Sequence, residues 1–92
     1  MNLRWTKRAA ADLTQICEFK ESRFGLAQAS HLAIAIYAAD ESLKEMPLMG
    51  RAGRKLGSRE LRIAGFPFLI IYRARKEYVE LIRILYGAQQ WP

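Results

Sequence analysis

The residues with most to offer chemically are arginines in the second half of the chain. Arg51, Arg54, Arg59 and Arg62, with Lys55, stand close together against a single Glu60, and Arg73, Arg75 and Arg83 follow beside apolar runs. A guanidinium binds a phosphate or carboxylate at two points through its planar fork, so this pattern suits an anionic partner. Arg83 is the sharpest case. In strand alternation it shares a face with Val79, Leu81 and Leu85. An arginine among apolar neighbours on an inner strand must be paired or must reach an open groove. Glu60 and Glu80 are the possible partners for structural ion pairs; a phosphate- or carboxylate-binding groove on one sheet edge is the other reading. Trp91, near the C-terminus, is suited either to cover the core or to anchor a partner.

Other reactive side chains point to little chemistry. His31 has no partner nearby in sequence and reads as a surface or satisfied histidine. Cys17 follows Ile16 and reads as a small apolar side chain. One cysteine cannot close an internal disulfide, and Cys17 with His31 alone cannot build a zinc site. Gly50, Gly53 and Gly57 lack the spacing of a phosphate loop. No metal and no cofactor is implied.

The net charge is +6, and its placement matters more than its size. Residues 1–46 carry six basic and six acidic groups, whereas residues 47–92 carry nine basic and three acidic ones. A one-sided positive field favours nucleic acid, a nucleotide or an acidic protein. A helix-turn-helix DNA reader would need basic residues on its second helix, where Lys44 stands against Asp40, Glu41 and Glu45.

These residues need elements to hold them. Leu3-Arg4-Trp5 is an extended start that adds an edge or central strand. Thr6 is suited to cap a helix from Lys7, with Leu13, Ile16, Cys17 and Phe24 near one face and Asp12, Glu18 and Lys20 elsewhere. Gly25 is a stop signal. A second helical pattern runs through Leu32, Ala35, Ile36, Ala39, Leu43 and Met46 until Pro47 ends it. Residues 47–58 read as a loop, Arg59–Ile63 as a strand, Phe68–Arg75 as a second and Tyr78–Tyr86 as a third, with Gly87 breaking it and irregular chain to Pro92. The expected fold is α+β, in the order β-α-α-β-β-β, with an N-terminal helical hairpin packed on a small, mainly antiparallel sheet.

At 92 residues the chain makes one domain, 1–92, and a large multi-domain enzyme is excluded. Hydrophobic residues at 51% and charged ones at 26% give a globular rather than a disordered balance. No apolar run reaches the roughly 20 residues of a membrane span. Met1-Asn2-Leu3-Arg4 has no hydrophobic export core, so a reducing cytoplasm is the expected compartment.

Over nearly its whole length the chain resembles the RelE/ParE superfamily of bacterial type II toxins, and most of all its ParE, or plasmid-stabilisation, branch. The resemblance is carried by Trp5 with Ala10-Ala11-Asp12-Leu13 and Ile16, by Leu43-Lys44-Glu45-Met46-Pro47, and by Gly50-Arg51-Ala52-Gly53-Arg54. Arg59-Glu60-Leu61, Ile71-Tyr72-Arg73 and the ending Arg83 to Pro92 complete it. Tyr86 stands where this ending usually has histidine, so a role needing an imidazole is not carried over.

The resemblance implies a growth-arresting toxin neutralised by a cognate antitoxin. That antitoxin is expected to wrap an acidic, amphipathic C-terminal tail over the toxin and to supply the DNA contacts of the complex. The basic second half is a natural receptor for such a tail. ParE-like members poison DNA gyrase by protein–protein binding; RelE-like members cleave mRNA on the ribosome. In the second case Tyr86 could donate a proton while Arg59, Arg62 or Arg83 stabilised charge. A tyrosine is a poor base near neutral pH, however. Gyrase poisoning is therefore the expected function, with Arg51, Arg54, Arg59, Arg73, Arg83, Tyr86 and Trp91 as partner-binding candidates. An mRNA endoribonuclease, or an inactive relative that only binds its antitoxin, is the alternative.

Overall fold

The structure, a computed structural model, describes residues 1–87 and 91. Strand β1 (Asn2–Trp5) leads into helix α1 (Lys7–Phe24). The Thr6 hydroxyl oxygen caps this helix by accepting a hydrogen bond from the Ala9 N–H at 3.1 Å. Gly25, at φ +90°, ends α1 by donating its N–H to the Glu21 carbonyl at 2.8 Å. Helix α2 (Leu26–Glu45) begins at the next residue, so a single glycine makes the hairpin turn.

Four strands follow: β2 (Arg51–Ala52), β3 (Arg59–Arg62), β4 (Phe68–Ala74) and β5 (Tyr78–Tyr86). They form one sheet in the order β1-β5-β4-β3-β2. The pairing of β1 with β5 is parallel and the other three are antiparallel. The α+β expectation holds, and the opening strand takes an edge. One element differs: β2 lies inside the segment read as a loop, which makes the order β-α-α-β-β-β-β. Two residues are too short to leave a periodic pattern, and β2 depends on pairing Arg51 with Glu60 and Ala52 with Arg59. The expectation for Ala88, Gln89, Gln90 and Pro92 lies outside the described residues.

Both helices cover one sheet face. Ala9, Leu32, Ile36 and Leu43 pack there against Ile63, Phe68, Ile70, Tyr72, Val79, Leu81 and Ile84. The other face carries a smaller cluster of Leu69, Ile71 and Leu85, with Ile82 and Trp91 against it. Three expectations change. Phe24 is 60% exposed rather than turned to the core. Asp12 is buried rather than set apart from the packed face. Leu85 lies in the opposite cluster from Val79 and Leu81. The cause of the last is an irregularity in β5: Tyr72 pairs with Leu81 and Ile71 with Arg83, leaving Ile82 unmatched. One extra residue shifts the alternation of everything after it.

Candidate functional site

Strand β1 accompanies β5 only as far as Leu81. Beyond that point the chain turns into α1, and the helix supplies what a neighbouring strand would have given. The Thr6 N–H donates to the Leu81 carbonyl at 3.0 Å, and the Thr6 hydroxyl donates to the Ile82 carbonyl at 3.1 Å. The Ile84 N–H donates to Asp12 Oδ2 at 2.9 Å. Arg83 adds two more bonds to the same carboxylate, from Nε to Oδ2 at 2.7 Å and from Nη2 to Oδ1 at 3.1 Å. Arg83 is thus half of a buried, two-point ion pair. Its partner is Asp12, not Glu60 or Glu80.

Next to this pair a groove of about 730 Å³ runs between α1 and the end of β5. Ile16, Phe68 and Ile84 contribute apolar surface to its lining, and Phe19, Phe24 and Tyr86 contribute rings that are 50%, 60% and 46% exposed. Tyr86 packs on Phe68 with ring centroids 4.6 Å apart. Arg8 and Lys20 give the groove positive charge from α1, and the Lys20 ammonium lies 4.6 Å from the Phe24 ring centroid. An open apolar trough with cationic margins can take an amphipathic segment bearing acidic residues. Phe19, Arg8 and Lys20 were not singled out from the sequence. The available signal was a second helical stripe through Arg8, Asp12, Ile16, Phe19 and Arg23, beside the core-facing one.

The remaining sequence candidates do not converge on one point. Glu60, buried under the loop, accepts from Arg51 Nη2 at 3.3 Å and from the Arg54 backbone N–H at 3.0 Å. The Arg54 guanidinium also lies 3.3 Å from Glu60 and donates to the Gly87 carbonyl at 2.8 Å. Arg59 donates to the carbonyls of Gly50 and Leu48 at 2.8 and 3.2 Å. The Gly50 N–H in turn donates to the Tyr72 hydroxyl at 2.8 Å, and burial pushes that phenol up from its ordinary pKa. These three arginines therefore shape the loop before β3. Arg62 is exposed. Arg73 and Lys55 lie beside Trp91, at 5.8 and 4.4 Å from its ring centroid, on the face away from the helices.

Of the residues passed over for chemistry, His31 is exposed with an edge contact to Phe66, and partial burial raises the Cys17 thiol pKa. No described helix is long and apolar enough to cross a membrane.

Known proteins resemble this chain in sequence and fold. A family model described as the ParE toxin of the type II toxin–antitoxin system parDE matches residues 3–91. A putative toxin, Y4kP, of Sinorhizobium fredii is 37% identical over 90 residues, spanning 98% of this chain and 92% of that protein. Toxin ParE1 of Caulobacter vibrioides is 35% identical over 83 residues, 90% of this chain and 85% of that one. Toxin RelE2 of the same organism is 34% identical, over 92% and 93% of the two chains. A chain in the solved structure of a chromosomal ParDE system from P. aeruginosa superposes with a TM-score of 0.79 at 27% identity, covering 94% of this chain and 95% of that one. Matched almost from end to end and alike in topology, the chain belongs to the ParE toxin family of type II toxin–antitoxin systems.

Proposed function

We propose that this toxin poisons DNA gyrase by protein–protein binding and that its cognate antitoxin silences it by laying an acidic, amphipathic tail in the groove beside α1. One observation carries the first half: Arg59 and Arg83, two of the cations that would have to stabilise charge in cutting RNA, are committed elsewhere and do not share a site. Arg83 is buried on Asp12 and Arg59 holds the carbonyls of Leu48 and Gly50, whereas Arg62 and the Tyr86 ring, packed on Phe68, stay exposed. Arg59 and Arg83 sit on strands separated by β4, with backbones roughly 10 Å apart. Ribose-phosphate cleavage needs a base, an acid and a cation around one phosphate, and a poison that works by surface binding needs no such set. The second half rests on the exposed rings and the positive charge that Arg8 and Lys20 bring to the groove.

The test is a gyrase supercoiling and cleavage assay with purified toxin, with and without purified antitoxin. Inhibition with accumulated cleaved DNA, reversed by antitoxin, is the expected result. Folded toxin without effect on gyrase overturns it. Cleavage of ribosome-bound mRNA then becomes the reading to pursue, and normal growth on expression of the toxin alone would leave an antitoxin-binding relative.

A further inference from the structure

Among the described residues three acids are buried, and one of them has no hydrogen-bond partner. Asp12 is held by Arg83 and the Ile84 N–H, and Glu60 by Arg51 and Arg54. Asp40 is 2% exposed, yet neither of its carboxylate oxygens has a hydrogen-bond partner among the described residues. A buried carboxylate left in that state is costly and calls for an explanation.

Asp40 lines a cleft of about 440 Å³ between β1 and the last turns of α2, along with Trp5, Tyr37 and Glu41. The cations at and beside the cleft are engaged by groups other than Asp40. Lys44 pairs with Glu41 at 2.8 Å, the Arg4 guanidinium lies 4.2 Å from the Tyr78 ring centroid, and the Met1 ammonium donates to the Lys44 carbonyl at 3.0 Å. Strand β1 is also the edge of the sheet, and no described strand pairs with its outer side. An extended segment added there would send alternate side chains toward α2 and the buried carboxylate.

We propose that this cleft is a second docking site for the antitoxin, in which an extended segment pairs with the free edge of β1 and delivers one arginine or lysine side chain to Asp40. The inference rests on the antitoxin reading above but not on gyrase as the target. It asks for the opposite charge to that asked for by the groove beside α1. Trp5 and Tyr37, which line the cleft and touch each other with ring centroids 6.3 Å apart, would give the aliphatic stem of the incoming side chain an aromatic surface to lie on.

Asp40→Asn keeps the shape and removes the charge. Titration of purified antitoxin into full-length toxin should show at least a tenfold loss of affinity for this variant, while the melting temperature of the free toxin rises. In the wild-type complex, β1 amides should gain protection from hydrogen exchange. Affinity within twofold of wild type, a lower melting temperature for free Asp40→Asn, or unchanged exchange in β1 would each overturn the proposal. A lower melting temperature would mean that an internal cation such as Lys44 swings over to fill the site. A free toxin that is dimeric as wild type and monomeric as Asp40→Asn would give the cleft to a second copy of this chain instead. Failure of the wild-type toxin to bind antitoxin at all would count against the antitoxin reading itself.

Discussion

Arg83 and Asp12 stand 71 positions apart in sequence and meet in a two-point ion pair, at 2.7 and 3.1 Å. The pair sits where β1 ends and α1 takes over the edge of β5, so it joins the first helix to the last strand. It is also the most exacting electrostatic commitment in the fold, because both partners are buried.

Removing either member leaves the other charged and buried. Asp12→Ala is expected to cost about 3–5 kcal/mol, a large part of the roughly 5–14 kcal/mol available to a domain of this length. Arg83→Lys should recover only part of the loss in Arg83→Ala, since a lysine cannot reproduce the fork. A double variant, Asp12→Leu with Arg83→Met, should be more stable than either Asp12→Ala or Arg83→Ala, because no unpaired charge remains. Urea denaturation of the four variants decides the point. Single variants that unfold at the wild-type midpoint would show that the pair contributes nothing to stability.

This pair also shows where sequence reading stops. Gly25, Thr6 and Pro47 were legible because each acts on its own turn of chain, through a positive φ, a cap or a missing N–H. The α+β order was legible because helical and strand periods are local patterns. Asp12 was not, because periodicity scores an aspartate as polar wherever its partner lies, and here the partner is on the last strand. The unmatched Ile82 reversed the expected face of Leu85 through a strand irregularity that leaves no mark in composition. The arginine cluster was legible as charge, but its use was not: Glu60 and the carbonyls of Leu48, Gly50 and Gly87 absorb much of it. The groove was missed because exposed rings at Phe19 and Phe24 look, in a helix, like any other apolar residue.

Those rings give a prediction with a clean separation of effects. Phe19 and Phe24 are half or more exposed, so Phe19→Ser and Phe24→Ser should move the melting temperature by only a few degrees. Each should weaken antitoxin binding about tenfold or more, as loss of a partner-facing aromatic does. Calorimetric titration beside thermal unfolding would read both quantities. Unchanged affinity for the double variant would move the antitoxin tail off this groove.

Trp91 offers a different balance. It packs on the face away from the helices against Leu69, Ile71 and Leu85, with Lys55 and Arg73 beside its ring. Trp91→Ala should therefore cost about 1–2 kcal/mol through lost apolar cover and cation–π contact. Urea denaturation reads that term, and a supercoiling assay at a temperature where the variant is still folded reads the other. Equal loss in stability and potency would make Trp91 a cover for the sheet. Loss of potency at full folding would make it an anchor for the target, beside Lys55 and Arg73.

Asp40 makes the stability of the free toxin depend on pH. Burial, with repulsion from Glu41, raises its carboxyl from 3.8 to about 7, and Lys44 opposes the shift. The groups facing it are Glu41 and Lys44 from α2 and Arg4 from β1, with the Met1 ammonium bonded to the Lys44 carbonyl. The folded state thus keeps a proton that the unfolded chain releases near 3.8. The stabilisation from that proton is fully present below the unfolded value and is lost as pH rises through the folded one. Free toxin should melt at progressively lower temperature from about pH 4 to pH 7, with little further change above that. Asp40→Asn should flatten this slope and, above pH 7, melt higher by roughly 4–8 °C for each kcal/mol of relieved burial penalty, which for such a group is about 1–3 kcal/mol. A melting temperature constant across this range would mean that the carboxylate is already neutralised by Lys44 in solution, and a slope that survives in Asp40→Asn would assign the dependence to another group.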